Sequence, residues 1–201
     1  MKLTKEKFLD LFSLMGSTTL SSPIVTTICT VLLISRTEYL GLILSSIFFY
    51  ILMPILTYLH LKKIGLITDK KYDFNIRKRE ERTPYNIIVL LGFTTNYILI
   101  HMYNIPIVKE IALLILISFL VFAIVSLFWK ISGHMTQTVL LITTLAYFFP
   151  NLYIPILLIG YILLIPWVGW SRVHDKHHTW PQVIAGTLVT SLLAFFVFTI
   201  L

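Results

Sequence analysis

Charge is what this sequence has least of: Asp, Glu, Lys and Arg make up 12% of its 201 residues, while 57% are hydrophobic. A soluble domain keeps roughly a quarter of its residues charged, so with a strongly positive mean hydropathy that class is excluded. Cysteine is nearly missing. The single Cys29 lies in an apolar run, forms no intramolecular disulfide and reads as a small buried apolar residue. Acids are few, nine against sixteen Lys and Arg. The resulting net charge of +7 sits in short loops between apolar runs, with no soluble domain to offer it to nucleic acid. Anionic lipid head groups or phosphate are the fitting partners. A cleavable signal peptide is also missing: "MKLTKEKFLDLFSLMGSTTL" starts basic, but Asp10 interrupts its apolar core and no clear small-residue cleavage site follows. Residues 1–17 read as a retained interfacial amphipathic helix.

What is present is hydrocarbon in long runs. A membrane span needs about 20 mostly apolar residues at roughly 1.5 Å each. Such runs occur near Thr18 to Ser35, Leu40 to His60, Tyr85 to Tyr103, Ile107 to Phe128, Met135 to Phe149, Leu152 to Trp170 and Val183 to Leu201. The breaks between them carry charge ("SRTEYL") or turn formers (Asn104, Pro106, Pro150, Asn151), and Pro84 and Pro181 suit the first turn of the helices that follow. The expectation is an all-α polytopic transmembrane bundle of six to seven spans, forming one integral membrane domain over residues 1–201. The run from Met135 is short, about 22 Å as a helix, so it begins earlier, within "KISGH", or lines a cavity.

Three hydrophilic stretches interrupt the bundle: "LKKIGLITDKKYDFNIRKREERTP" (Leu61 to Pro84), "WKISGH" (Trp129 to His134) and "GWSRVHDKHHTWPQVIAG" (residues 169–186). Two expected spans separate each from the next, so all three emerge on one side. Fourteen of the sixteen Lys and Arg fall on that side, leaving Arg36 and Lys109 on the other. The bias of short cytoplasmic loops toward Lys and Arg puts the three stretches in the cytoplasm of a multi-pass cell-membrane protein.

Together the stretches hold what cleavage of a phosphate ester requires: fixed cations, backbone donors, a nucleophile and an acid for the leaving group. Arg79 and Arg82, three apart, share a face if helical, and guanidinium forks match phosphate oxygens. Ser132, Gly133 and His134 offer a hydroxyl, a closely approachable N–H and an imidazole at the head of a helix whose dipole favours anions. The last stretch adds Arg172 and His178.

In this arrangement the chain resembles the type-2 phosphatidic acid phosphatases, the lipid phosphate phosphatases related to vanadium haloperoxidases. That family's signature has a Lys-rich segment ending near Arg-Pro, a Pro-Ser-Gly-His, and a Ser-Arg followed after five residues by His and after three more by Asp. Here the parts read Arg79-Glu80-Glu81-Arg82-Thr83-Pro84, Ile131-Ser132-Gly133-His134, and Ser171-Arg172, five residues, His178, three residues, Gln182, then Val183-Ile184-Ala185-Gly186. The resemblance runs from about Lys78 to Gly186. It implies that His178 attacks phosphorus, that His134 protonates the leaving alkoxide, and that Lys78, Arg79, Arg82, Ser132, Gly133 and Arg172 hold the phosphoryl oxygens. It implies no metal and no cofactor. The substrate class it implies is a lipid phosphate or diphosphate: phosphatidic acid, phosphatidylglycerophosphate or a polyprenyl (di)phosphate. Oligomeric state is not legible.

Three positions depart from the pattern. The Lys expected seven residues before the first-motif Arg falls at Asn75, so Lys78 or Arg79 stands in for it. Ile131 replaces Pro. Gln182 replaces the Asp that orients the nucleophilic His, so it can accept the ring N–H but brings no charge. Asp175 is a further carboxylate nearby in sequence. Two rival readings follow from these residues. A degenerate member would bind or transport phospholipid without hydrolysis. A metallohydrolase would use His174 and His178, spaced like a two-histidine zinc pattern, but no third ligand is evident. The histidine boxes of a membrane desaturase need more imidazoles than six, of which His60 and His101 lie alone. Trp170 and Trp180 read as interfacial anchors.

Overall fold

The computed structural model describes residues 5–18, 39–68, 76 and 78–200. Among them are seven helices and no strand. We number them α1 (Lys5–Thr18), α2 (Leu40–Lys63), α3 (Arg79–Tyr103), α4 (Pro106–Ser126), α5 (Gly133–Phe148), α6 (Pro150–His174) and α7 (Trp180–Ile200). Five of them, α2, α3, α4, α6 and α7, are long and apolar enough to cross a membrane. The expected span from Thr18 to Ser35 falls, apart from Thr18, outside the described residues. The expected short span is α5, which does begin earlier, at Gly133. Its 16 residues reach only about 24 Å, and Met135, Thr136, Thr138 to Ile142, Thr144 and Ala146 are buried. A helix enclosed by protein has no need to match the bilayer.

Helix α3 starts at Arg79, six residues before the expected boundary at Tyr85. Glu80 and Glu81 occupy its first turn, where the helix dipole favours acids, and Pro84 lies inside the helix. Its far end closes on Asn104, left-handed at φ 49°, a conformation that Asn tolerates better than most residues. In α2 and α6 the helix widens to π turns at Phe48–Leu52 and Gly160–Leu164, each two residues before a proline, Pro54 and Pro166. Proline lacks the N–H for the carbonyl one turn back and its ring crowds that carbonyl, so a wider turn relieves both defects.

The chain divides into two compact units, Thr30–Lys130 and Met1–Cys29 with Ile131–Leu201. In the first, α2, α3 and α4 pack through Leu42, Ile100, Val108 and Ala112. Tyr50 meets Phe93 edge-on at 5.0 Å. Buried polar pairs tie the helices: Ser45 Oγ donates to Asn96 Oδ1 at 3.0 Å, Asn96 Nδ2 to Ser46 Oγ at 3.2 Å and Asn86 Nδ2 to Ser126 Oγ at 2.9 Å. Polar side chains turned inward and large apolar ones such as Leu91, Ile98 and Met102 turned outward are the pattern of a bundle solvated by lipid.

In the second unit, Met135 of α5, Val168 of α6 and Val183 of α7 form a core with Leu164, Ile165 and Val173 around it. Gly186 lets α7 approach the head of α5: a Cβ there would stand 2.7 Å from the Ser132 carbonyl oxygen. Tyr147 and Phe198 stack at 4.1 Å, and the Tyr161 hydroxyl meets Ser191 Oγ at 2.6 Å. The N-terminal helix α1 is helical as expected and lies on α6, with Trp167 Nε1 donating to the Phe12 carbonyl at 3.1 Å.

Candidate active site

The site's residues in the second unit stand where α5, α6 and α7 meet. Ser132 is the N-cap of α5, extended at φ −85° and ψ 105°, with no side-chain cap bond. The first intrahelical bond is Thr136 N–H to the Ser132 carbonyl at 3.3 Å. Helix geometry therefore leaves the N–H groups of Gly133, His134 and Met135 without carbonyls of their own turn. Ser132 Oγ is fully buried and has no hydrogen-bond partner among the described residues. A buried hydroxyl without a partner is costly, and beside a helix N-terminus it completes a set of donors suited to an anion.

The Ser-Arg-x5-His spacing has a backbone cause. Helix α6 ends at His174 with Asp175 as its C-cap, and the chain then reverses. Lys176 N–H bonds to the Val173 carbonyl at 3.0 Å and His177 N–H to the Arg172 carbonyl at 3.1 Å. These are the two bonds of a Schellman turn, with Lys176 in the left-handed position at φ 57°. His178 N–H also reaches the Arg172 carbonyl, at 3.1 Å. Arg172 and His178 are thus joined through the same carbonyl, and both are buried, at 4% and 9% exposure.

The second spacing, His-x3-Gln, is a capping pattern. Helix α7 opens at Trp180, and Val183 N–H bonds to the Thr179 carbonyl at 3.1 Å, so Thr179 is the N-cap. Gln182, three residues on, reaches back: its Oε1 accepts the Thr179 N–H at 3.1 Å and lies 3.3 Å from His178 Nδ1. This is the return half of a capping box. Because a backbone N–H donates into the same atom, that atom is the amide oxygen, and the Nδ1 contact requires the ring to donate. The ring therefore carries a proton on Nδ1, the nitrogen that faces Gln182. Gln182 also gives its backbone carbonyl to Ser132 N–H at 3.2 Å, which locks the second motif to the third.

His134, partly buried, stands at the head of α5 ahead of the apolar run from Met135. Burial, then the charge of Arg172, then His178 and His177 hold its ring well below the ordinary histidine value. It is neutral at neutral pH unless a bound anion offsets these charges. Burial pushes the Asp175 carboxyl up, but bonds with Ser13 and His174 and the nearby His177 outweigh this and leave it lowered. Its Oδ1 accepts Ser13 Oγ–H at 2.6 Å and meets His174 Nδ1 at 3.2 Å. Trp170 tilts against the His174 ring, with centroids 4.7 Å apart.

Lys78, Arg79 and Arg82 belong to the first unit. Arg79 and Arg82 both lie at the start of α3, the helical condition under which they share a face. Arg82 Nε donates to the Ile76 carbonyl at 2.9 Å. Lys78 Nζ lies 3.3 Å from Glu81 Oε1 and 2.7 Å from Thr68 Oγ1, and Glu81 in turn accepts Thr68 Oγ1–H at 2.6 Å. These bonds fasten the approach to α3. Asn75 lies outside the described residues. Sequence reasoning did not find Ser13, whose hydroxyl is one of three in the opening helix and carries no motif, nor the capping role of Thr179, although Thr-x-x-Gln before an apolar run signals it.

No curated protein and no solved structure matches the chain. Residues 125–201, which hold Ser132, Gly133, His134, Arg172, His178 and Gln182, match the family model of the PAP2 superfamily, the likeness that the motifs led one to expect.

Proposed function

We propose that this membrane protein is a phosphatase that hydrolyses the phosphate monoester or diphosphate of a lipid through a phosphohistidine on His178. The observation that carries the reading is the Gln182 amide oxygen at His178 Nδ1, which leaves Nε2 as a nucleophile beside the donor-rich head of α5. The PAP2-superfamily match supports a hydrolase of phosphate esters, and the five span-length helices suit a substrate whose tail stays in the bilayer.

In the first step the Nε2 lone pair forms a bond to phosphorus and the phosphorus–oxygen bond to the lipid breaks. His134 gives its proton to the departing alkoxide. Ser132, the Gly133 N–H and Arg172 hold the phosphoryl oxygens. For Lys78, Arg79 and Arg82 a phosphate-holding role rests on the motif resemblance alone. Water, losing a proton to His134, then attacks phosphorus, the nitrogen–phosphorus bond breaks and orthophosphate leaves. No metal or cofactor takes part. The chain works as one phosphatase-like domain over residues 1–201, with its site on the cytoplasmic side of the cell membrane. Phosphatidic acid, phosphatidylglycerophosphate and polyprenyl (di)phosphates are the candidate substrates.

Purified protein assayed with these lipids in excess chelator tests the reading. Release of phosphate that disappears in His178→Ala and His134→Ala, with acid-labile phosphate trapped on His178, is the expected result. One observation favours a second reading, a lipid-binding or transport protein without turnover: the partner of His178 is a neutral amide, already committed to Thr179. Lipid binding without phosphate release from any candidate would select it, and loss of activity in chelator would select a metallohydrolase.

A further inference from the structure

The turn that carries His178 is held by more than the three motifs. Ser13, on α1, is fully buried. Its Oγ donates to Asp175 Oδ1 at 2.6 Å and lies 3.3 Å from the Ser171 carbonyl, across 162 and 158 residues of sequence. Asp175 is the C-cap of the Schellman turn, directly before Lys176 and His177, whose N–H groups seal it. The same turn holds Lys176 in a left-handed conformation that an L side chain resists, and such strain persists only where neighbouring structure over-determines the backbone.

The docking of α1 is specific. Phe12 stacks on Trp167 at 4.9 Å and tilts against Trp170 at 5.8 Å, and its carbonyl accepts the Trp167 indole N–H. Gly16 brings α1 so close to α6 that a Cβ would collide with Ser171 Oγ and stand 3.1 Å from Trp167 Nε1. Ser171 directly precedes Arg172, so α1 bears on the start of the segment from Arg172 to His178, at Ser171, and on its middle, at Asp175.

We infer that Ser13 and Asp175 are positioning residues: α1 braces the turn after α6, and through it the placement of His178 and Arg172. The inference deepens the phosphatase reading and rests on it for its catalytic consequence. Neither residue touches the reacting atoms. The brace acts by fixing backbone, where displacement of the order of 1 Å costs up to about a hundredfold in rate.

The test uses the full chain in detergent and two measurements. The first is amide hydrogen exchange over residues 172–179. Ser13→Ala and Asp175→Ala should each speed it by about tenfold or more, and the double variant should be no faster than the faster single one. Ser13→Thr should restore the native rate, Gly16→Leu should mimic Ser13→Ala, and unchanged exchange in α5 and α7 shows that the fold persists. The second is turnover of phosphatidic acid, where Ser13→Ala should lower kcat about tenfold with KM within about twofold. Native exchange over 172–179 in Ser13→Ala and Asp175→Ala overturns the brace, as do additive effects in the double variant. Exchange that responds as expected in a protein that releases no phosphate leaves the brace standing and removes the phosphatase reading instead.

Discussion

Gln182 holds His178 with the same oxygen that caps the helix behind it. The amide accepts the Thr179 N–H at 3.1 Å and the His178 ring at 3.3 Å, so one side chain opens α7 and orients the His178 ring, the proposed nucleophile. Gln182→Glu preserves the length and both acceptor bonds and adds the charge that stabilises a developing imidazolium. Its kcat should equal or exceed that of the native protein. Gln182→Asp should also not fall below it, and Gln182→Leu should lose about a hundredfold. Steady-state assays of the three variants decide this, and a severe loss in the Glu form would show that neutrality at 182 has a purpose of its own.

His134 should couple anion binding to proton uptake. Burial and the neighbouring Arg172, His178 and His177 hold its ring well below the ordinary value in the free protein. A dianion beside it raises that value. Between the two pKa values binding takes up a proton, so affinity rises as pH falls through the bound-state value and levels off below the free-state value. Sulfate mimics the phosphoryl group without titrating in this range. Calorimetry should show its affinity climbing as pH falls from neutral in the native protein and climbing less in His134→Ala.

Lys176→Gly should stabilise the protein. The residue sits at φ 57°, where a side chain costs about 1–2 kcal/mol, and glycine returns roughly 0.5–1 kcal/mol of that as unfolded-state entropy. The net gain, about 0.5–1 kcal/mol, should raise the midpoint of thermal unfolding in detergent by a few degrees.

Gly186→Ala should do the reverse. Its new methyl would face the Ser132 carbonyl at 2.7 Å, and because the obstacle is backbone, α7 must shift by several tenths of an ångström. A cost of about 1–3 kcal/mol is expected. Turnover should fall with it, since the same shift pulls Ser132 N–H from the Gln182 carbonyl. An alanine form with native stability and activity would contradict the close approach.

Orientation can be checked by single cysteines in a Cys29→Ser background. A thiol at position 70 should react only from the cytoplasmic face and one at position 36 only from outside. Labelling of position 70 from outside would reverse the proposed topology.

The sequence by itself determined the helices and the motifs they carry. Runs of Leu, Ile, Val and Phe leave backbone polar groups no solvent but one another, so helix is forced wherever lipid is the medium, and the starts of α2, α4 and α6 are legible to within two residues. The motif spacings were equally legible as spacings. Their causes were not, because they lie in bonds between separate elements. Five residues separate Arg172 from His178 because a Schellman turn folds both onto one carbonyl. Three separate His178 from Gln182 because the third residue of a helix can reach back across its cap. The start of α3 at Arg79 was missed because Pro84 looks like a first-turn residue when the acids before it are counted as loop. Ser13 and Asp175, or Gly186 and Ser132, meet only because helices distant in sequence pack at van der Waals contact, and contact between remote residues leaves no local pattern in the chain. Tertiary structure alone decided which hydroxyl stays unbonded at the head of α5 and which one bonds to the turn that bears His178.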